Sequence, residues 1–202
     1  MDGVNMSENV DKRIVKTKKN IKETFKKLLS EKSFEKITVA EICREGDTSR
    51  ITFYTYYPDK YALVEEMFLD YIHEAYDDYH NLQEHNNPDH DPLLGYNNLL
   101  EAILNLFYNN MDFFSHATSW ENPYLYSAFY QHIYRNVESY ISRHNQIKPK
   151  YSSRQTAALI CNGIFSFINE SVAMGHSIEE VKEETKNVYD DLIKSDLFHP
   201  VV

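Results

Sequence analysis

The sequence predicts an all-α protein of about nine helices, a small three-helix unit in front of a larger helical body. Three observations carry this. The 5 glycines and 6 prolines of the 202 residues are scarce and fall mainly between stretches of apolar periodicity, at Gly46, Pro58, Pro88, Pro92, Pro123, Pro149 and Gly175. Within those stretches apolar residues recur at three- and four-residue spacing, and no alternating strand pattern is sustained. Capping boxes stand at Thr38/Glu41 and Ser177/Glu180, where helices are due to start.

Helix one follows from Ile14, Ile21, Phe25 and Leu28, with lysines on the other faces. Thr38 opens the second helix, whose buried side is Val39, Ile42 and Cys43. After a turn at Gly46, Ser49 caps a third short helix running to about Tyr56. Pro58-Asp59 starts a long fourth helix with a broad apolar band from Leu63 to Tyr79, which links the two units. Beyond a polar loop over 84–91, further helices are expected near Leu93–Asn110, Met111–Thr118, Pro123–Asn145, Ser153–Met174 and Ser177–Ser195. The organisation read from this is a flexible lead over 1–9, a helix-turn-helix domain over 10–72 and a helical domain over 73–202.

With 42% hydrophobic and 14% aromatic residues the chain has apolar surface enough for a packed core. Cys43 and Cys161 are far apart, so neither a disulfide framework nor a zinc knuckle is expected. No signal-peptide core occurs and no apolar run approaches bilayer length, so the expected location is the cytoplasm, with no membrane partner. The net charge of −10 looks unsuited to DNA until it is divided: the first 60 residues hold 13 Lys/Arg against 10 Asp/Glu, the remainder 8 against 21. Between Lys12 and Lys27 eight basic residues face only Glu23. Such a patch attracts phosphates within a Debye length, although a solvated helix face has the same composition.

Two short helices joined by a tight turn, after a basic helix and before a long one, have the dimensions of a DNA-binding helix-turn-helix over 38–57. In the major groove Arg50 can reach guanine N7/O6 or a phosphate, and Ser49 and Thr52 can bond base edges or backbone oxygens. Tyr54 and Tyr56 offer hydroxyls to phosphates. The stretch TVAEICREGDTSRITFYTYYPDKYAL, from Thr38 to Leu63, resembles the signature of TetR-family transcriptional regulators, within a likeness covering roughly residues 10–72. The resemblance implies DNA contacts at Thr38, Ser49, Arg50, Thr52, Tyr54, Tyr56 and Lys60, the last on a phosphate, with Phe53 and Tyr57 packed inward. Two departures bear on specificity. Ile51 stands where the family has a small residue, and there it either meets a thymine methyl or holds the helix further out. Asp47-Thr48 replaces the usual Gly-Val of the turn and adds a negative charge near DNA.

Residues 73–202 match no family at similar strength. The resemblance implies that the last two helices form a four-helix dimer interface, with Ile160, Gly163, Ile164, Phe167, Val188 and Leu192 as the candidates; an intramolecular core would use many of the same residues. An aromatic stretch suits either ordinary core packing or an inducer pocket, whose candidates are Phe107, Tyr108, Trp120, Tyr126, Phe129 and Tyr130 with Asn162 and Asn169 as polar handles. Asp70, His73, Asp77, His80 and Glu84 share a helix face and are read as a solvated face rather than a metal site. A di-metal bundle enzyme needs such acid–histidine pairs on two different helices, so neither metal, cofactor nor catalysis is expected. The reading is a ligand-responsive regulator, by family expectation a repressor, acting as a homodimer on a near-palindromic operator. Its rival is a helical interaction protein that has lost the operator.

Overall fold

The computed structural model describes residues 4–118, 121–144 and 147–200, with side chains at 12–118, 121–144 and 148–198. Nine α-helices account for the described chain, in the order expected: α1 (Val4–Glu31), α2 (Val39–Glu45), α3 (Arg50–Tyr56), α4 (Lys60–Asn86), α5 (Pro92–Asn109), α6 (Met111–Ala117), α7 (Pro123–Arg143), α8 (Ser153–Ala173) and α9 (Ile178–Lys194). The lead taken as flexible over 1–9 is helical from Val4, because no glycine or proline interrupts the chain from there to Glu31; Met1–Gly3 lie outside the described residues. Both expected capping boxes form, and Ser152/Gln155 makes a third at the start of α8. Two three-residue strands, β1 (Ile147–Pro149) and β2 (Phe198–Pro200), pair antiparallel and tie the C-terminal segment to the α7–α8 connection, a local pairing too short to show as alternation.

The chain divides into two compact units. The first comprises residues 1–69 and 111–128, the second residues 70–110 and 129–202. Residues 111–128, expected from the sequence in the larger domain, join the N-terminal helices in the structure. α6 packs on α1, and Phe113 sets its ring 6.0 Å from that of Phe68. Asn122 is buried and satisfied at both ends: its Oδ1 accepts from the Phe34 N–H at 2.6 Å and its Nδ2 donates to the His116 carbonyl at 2.9 Å. A buried amide left unpaired would cost about 1–3 kcal/mol, so these bonds fix the connection. The core of this unit is Ile21, Phe25, Phe34, Ile42, Phe53, Leu63 and Phe68, all inaccessible to solvent. Truncating Phe53 to Ala would cost about 3–5 kcal/mol.

In the second unit α9 packs against α5 and α8. Glu101 on α5 receives Lys182 at 3.2 Å and also Lys186, both from α9. Burial pushes the Glu101 carboxyl up, but these two ammonium groups outweigh it and hold the carboxyl below its ordinary range. By length and composition α8 is apolar enough to cross a bilayer, which the sequence reading did not allow for; about 33% of its apolar window is buried in the protein, and Asn162, Asn169 and Glu170 lie on its exposed side.

Candidate functional site

α3 is seven residues long and contributes one fully buried side chain, Phe53. With a 100° step per residue, burying Phe53 turns Ile51, Tyr54 and Thr55 outward, and Arg50 is exposed at the first position of the helix. Ile51 is 82% exposed and Tyr54 54%, unusual values for large apolar side chains on a helix this short. Thr55, absent from the sequence-based candidates, belongs to the same face by its four-residue offset from Ile51, whose carbonyl its hydroxyl meets at 2.8 Å. Ser49 caps the helix, its Oγ accepting from the Thr52 N–H at 3.0 Å, and the two hydroxyls lie 2.8 Å apart. Tyr56 is half-buried, with the Lys18 ammonium 5.8 Å from its ring centre. Thr38 sits at the start of α2, where its hydroxyl donates to Glu41 Oε2 at 2.9 Å and its Oγ1 accepts from the Glu41 N–H.

Lys60 is placed differently from the resemblance-based expectation. Its ammonium donates to the carbonyls of Phe34 at 2.8 Å, Ile37 at 2.9 Å and Glu35 at 3.3 Å, and lies 4.3 Å from the Phe34 ring centre. An ammonium has three N–H groups, and here three carbonyls take them. Burial lowers its pKa, with Glu35 opposing. Lys60 thus closes the 3-10 turn at Phe34–Lys36 and has no donor left over for a phosphate.

The base under α3 is held by Glu66 of α4. Its carboxylate takes Lys18 at 2.7 Å and Lys22 at 2.6 Å, both from α1, and the Tyr57 hydroxyl at 2.8 Å. Burial pushes this carboxyl up, yet the three hydrogen bonds overcome it and bring it down to about 2. α1, the end of α3 and α4 are joined at one point. At the turn before α3, Gly46 lies against α1: a Cβ there would come within 2.8 Å of Thr24 Oγ1, and Asn20 Nδ2 donates to its carbonyl at 2.6 Å. The left-handed residue is the next one, Asp47, at φ 44. The basic residues Lys12, Arg13, Lys16, Lys19 and Lys27 of α1 remain exposed.

A two-helix reader with a fully packed back, an exposed front and a basic helix beside it is a helix-turn-helix DNA-binding unit in geometry. The sequence profile described as "Bacterial regulatory proteins, tetR family" matches residues 23–67, which span this arrangement. The N-terminal region is that of a tetR-family regulatory protein. The matched region supports a DNA-binding role in transcriptional regulation.

Solved structures share the fold over nearly the whole chain. A Syntrophomonas wolfei protein assigned to the TetR-family transcriptional regulators superposes with a TM-score of 0.72 at 14% identity, over 90% of this chain and 97% of that one. A transcriptional regulator of the TerR/AcrR family from Aquifex aeolicus gives 0.57 at 18% identity, over 87% and 99%. The reduced form of E. coli NemR gives 0.52 at 13%, over 92% and 100%. At such identities the likeness is one of fold, and no curated protein matches by sequence.

The aromatic candidates of the larger unit take part in separate ring contacts among the described residues. Phe129 is buried with its ring edge-on to Phe165, Tyr130 stacks on Tyr134 and accepts from Asn162 Nδ2 at 2.7 Å, and Phe107 contacts Tyr108 edge to face. Tyr126 falls in the first unit, Asn169 is exposed, and Trp120 lies outside the described residues. A hollow of about 290 Å³ lies between α4, α5 and α7, and its wall includes Tyr76, Tyr79, His80 and Tyr140. His80, read from the sequence as part of a solvated face, is exposed and also lines this hollow. The sequence signal was present in the tyrosines of α4, but their share of a cavity depends on which helices they meet.

The interface candidates also divide. Ile160 and Ile164 are buried inside their own unit, beside a void of about 30 Å³ with Tyr189, so they are core rather than surface. Gly163 is exposed with open space around its Cβ position, Leu159 is 52% exposed, and Phe167, Val188 and Leu192 are half-buried. Among the described residues no group of three or more His, Cys, Asp or Glu side chains is arranged to hold a metal ion.

Proposed function

We propose that the protein is a cytoplasmic, homodimeric, ligand-responsive repressor that sets α3 into the major groove at each half of a near-palindromic operator. The observation that carries this is the outward face of α3, where Arg50, Ile51, Tyr54 and Thr55 stand exposed on a helix anchored by Phe53. In this arrangement Arg50 reads guanine or grips a phosphate, and Ile51 packs on a thymine methyl. The hydroxyls of Ser49, Thr52 and Tyr54 bind backbone oxygens, Tyr56 and Thr38 flank them, and Lys60 serves the fold instead of the DNA. The functional division is a DNA-binding domain over about 10–72, with 111–128 packed on it, and a sensing and dimerisation domain made by the rest. Exposed Leu159 and Gly163 on α8 support pairing of this face with a second copy, since open space at a glycine admits a close helix approach. Two readers linked in this way respond to a ligand when its binding favours one separation of the heads over another. No catalytic role is proposed.

Selection of genomic fragments by the purified protein, followed by titration at two salt concentrations, tests the reading. A near-palindromic enriched site is expected, with affinity falling steeply as salt rises. Arg50→Ala is expected to cost about 1–3 kcal/mol of specific binding. Fragments recovered without a common site would leave only a non-specific basic surface, and no binding at all would favour a helical interaction protein.

A further inference from the structure

We propose that the cavity between α4, α5 and α7 binds a small planar organic anion, an aromatic carboxylate in chemical class. The proposal rests on the sensing role assigned above to the larger unit. Three features of the cavity define the occupant.

First, the interior is apolar, with Ile72, Ile103 and Ile133 forming its lining away from the polar end. A volume of about 290 Å³ is at the lower limit of ligand pockets, roughly 300 Å³, so it admits one or two rings and not three or more. Second, the remaining wall is made of flat rings already ordered by one another. Tyr76 meets His80 at 4.3 Å between ring centres, Tyr79 meets Tyr140 edge-on at 5.7 Å, and His144 stacks on Tyr140 at 3.9 Å. Tyr140 is set by its surroundings: the Tyr79 hydroxyl donates to its Oη at 3.3 Å, and a Cβ on Gly95 would come within 2.7 Å of that oxygen, so only glycine leaves the ring this place. Preordered rings favour a planar guest because little side-chain entropy remains to be lost.

Third, the polar end carries a cation, Arg143, in a unit that is otherwise acidic. Arg143 and His144 line the cavity at the end of α7, and no Asp or Glu lines it. The His144 Nδ1 faces the Tyr140 carbonyl at 2.9 Å; a carbonyl only accepts, so Nδ1 carries the proton there. Asp91 lines the adjoining hollow, where its Oδ1 is occupied in capping α5 at the Leu94 N–H. With residues 61–202 holding 8 Lys/Arg against 21 Asp/Glu, a carboxylate-free hollow bearing an arginine selects for negative charge. The planar guanidinium fork of Arg143 pairs with a carboxylate, and the Ser139 hydroxyl, one turn away on α7, also lines the cavity.

Isothermal titration of the full chain with benzoate and 2-naphthoate, each beside its neutral amide, tests this. At least one of the two carboxylates is expected to bind once per chain, about tenfold or more tighter than its amide. Arg143→Gln, at an exposed position, is expected to bring carboxylate and amide to equal affinity, and Ala75→Phe, which fills the cavity, to weaken both by about tenfold or more. Equal affinity of carboxylate and amide for the unmodified protein would overturn the proposal. So would a preference that survives Arg143→Gln, or no binding by either carboxylate up to about 1 mM. A carboxylate that binds here, with the preference lost in Arg143→Gln, yet leaves operator affinity unchanged would keep the site and remove ligand control.

Discussion

A lysine whose ammonium meets three carbonyl oxygens, as that of Lys60 does, behaves differently under mutation from one that reaches a phosphate. Lys60→Met would leave those carbonyls without their donor, and a loss of about 2 kcal/mol in thermal or denaturant unfolding is expected. The slope of log affinity against log salt should stay as it was, whereas removal of a phosphate contact would reduce it by about 0.9. Glu66 makes a prediction with a pH window. Its carboxyl lies at about 2 in the folded protein against an ordinary value of 4.5, so the ionised form is favoured by folding. That stabilisation is complete above about 4.5 and disappears as pH falls through about 2. With the side chain 30% exposed, solvent screening brings the effect to about 1–2 kcal/mol at neutral pH. Glu66→Gln should show this deficit at pH 7 and converge with the unmodified protein in acid-unfolding curves. Asp47 holds φ 44, where an L-residue is strained, and its charge lies two residues before the α3 N-cap. Asp47→Gly is expected to raise stability by up to about 1 kcal/mol and to tighten DNA binding at low salt.

Elements with their own start signals were legible in the sequence, and those defined by what they touch were not. Thr38, Ser49 and Ser177 each cap the helix they announce, because the cap is a bond between residues three apart. The face of α3 was legible for the same reason, since Phe53 and the 3.6-residue period decide which neighbours turn outward. Lys60 was misplaced because its carbonyl partners at Phe34 and Ile37 lie more than twenty residues away, beyond any local pattern. Aromatic density in the sequence marks a core or a pocket alike, and the hollow between α4, α5 and α7 depends on how those helices pack. On α8, Ile160, Gly163 and Ile164 fall within five residues, yet only Gly163 is open to a partner. The dimer reading therefore belongs to the stripe through Leu159 and Gly163. Gly163→Gln should raise the dimer dissociation constant by about tenfold or more in sedimentation, with helical content unchanged, because no neighbour within the chain meets its Cβ. An unchanged dimer would move the interface off this face.

At the scale of the whole molecule the governing feature is a division of charge along the chain, with the first 60 residues basic on balance and the rest holding 8 Lys/Arg against 21 Asp/Glu. A protein of net charge −10 is repelled by DNA at long range, so attraction must arise within a Debye length of about 10 Å, from groups that stand free of carboxylates. On α1, Lys18 and Lys22 are bound to Glu66, and Lys26 meets Glu23 at 3.4 Å; these belong to the fold. Lys12, Lys16 and Lys19 are exposed on the same helix and are the candidates for phosphate contact. Replacing these three by Gln separates a DNA-facing patch from a solvated face. Each lysine that displaces a counterion contributes about 0.9 to the salt slope, so the triple variant should bind more weakly at low salt and lose up to about 2.7 of slope per subunit. Its operator preference should be kept, since base edges are read by α3. A slope unchanged by the three substitutions would mean that α1 serves only to support α3, and that the attraction comes from Arg50 and the backbone donors at the start of the reading helix.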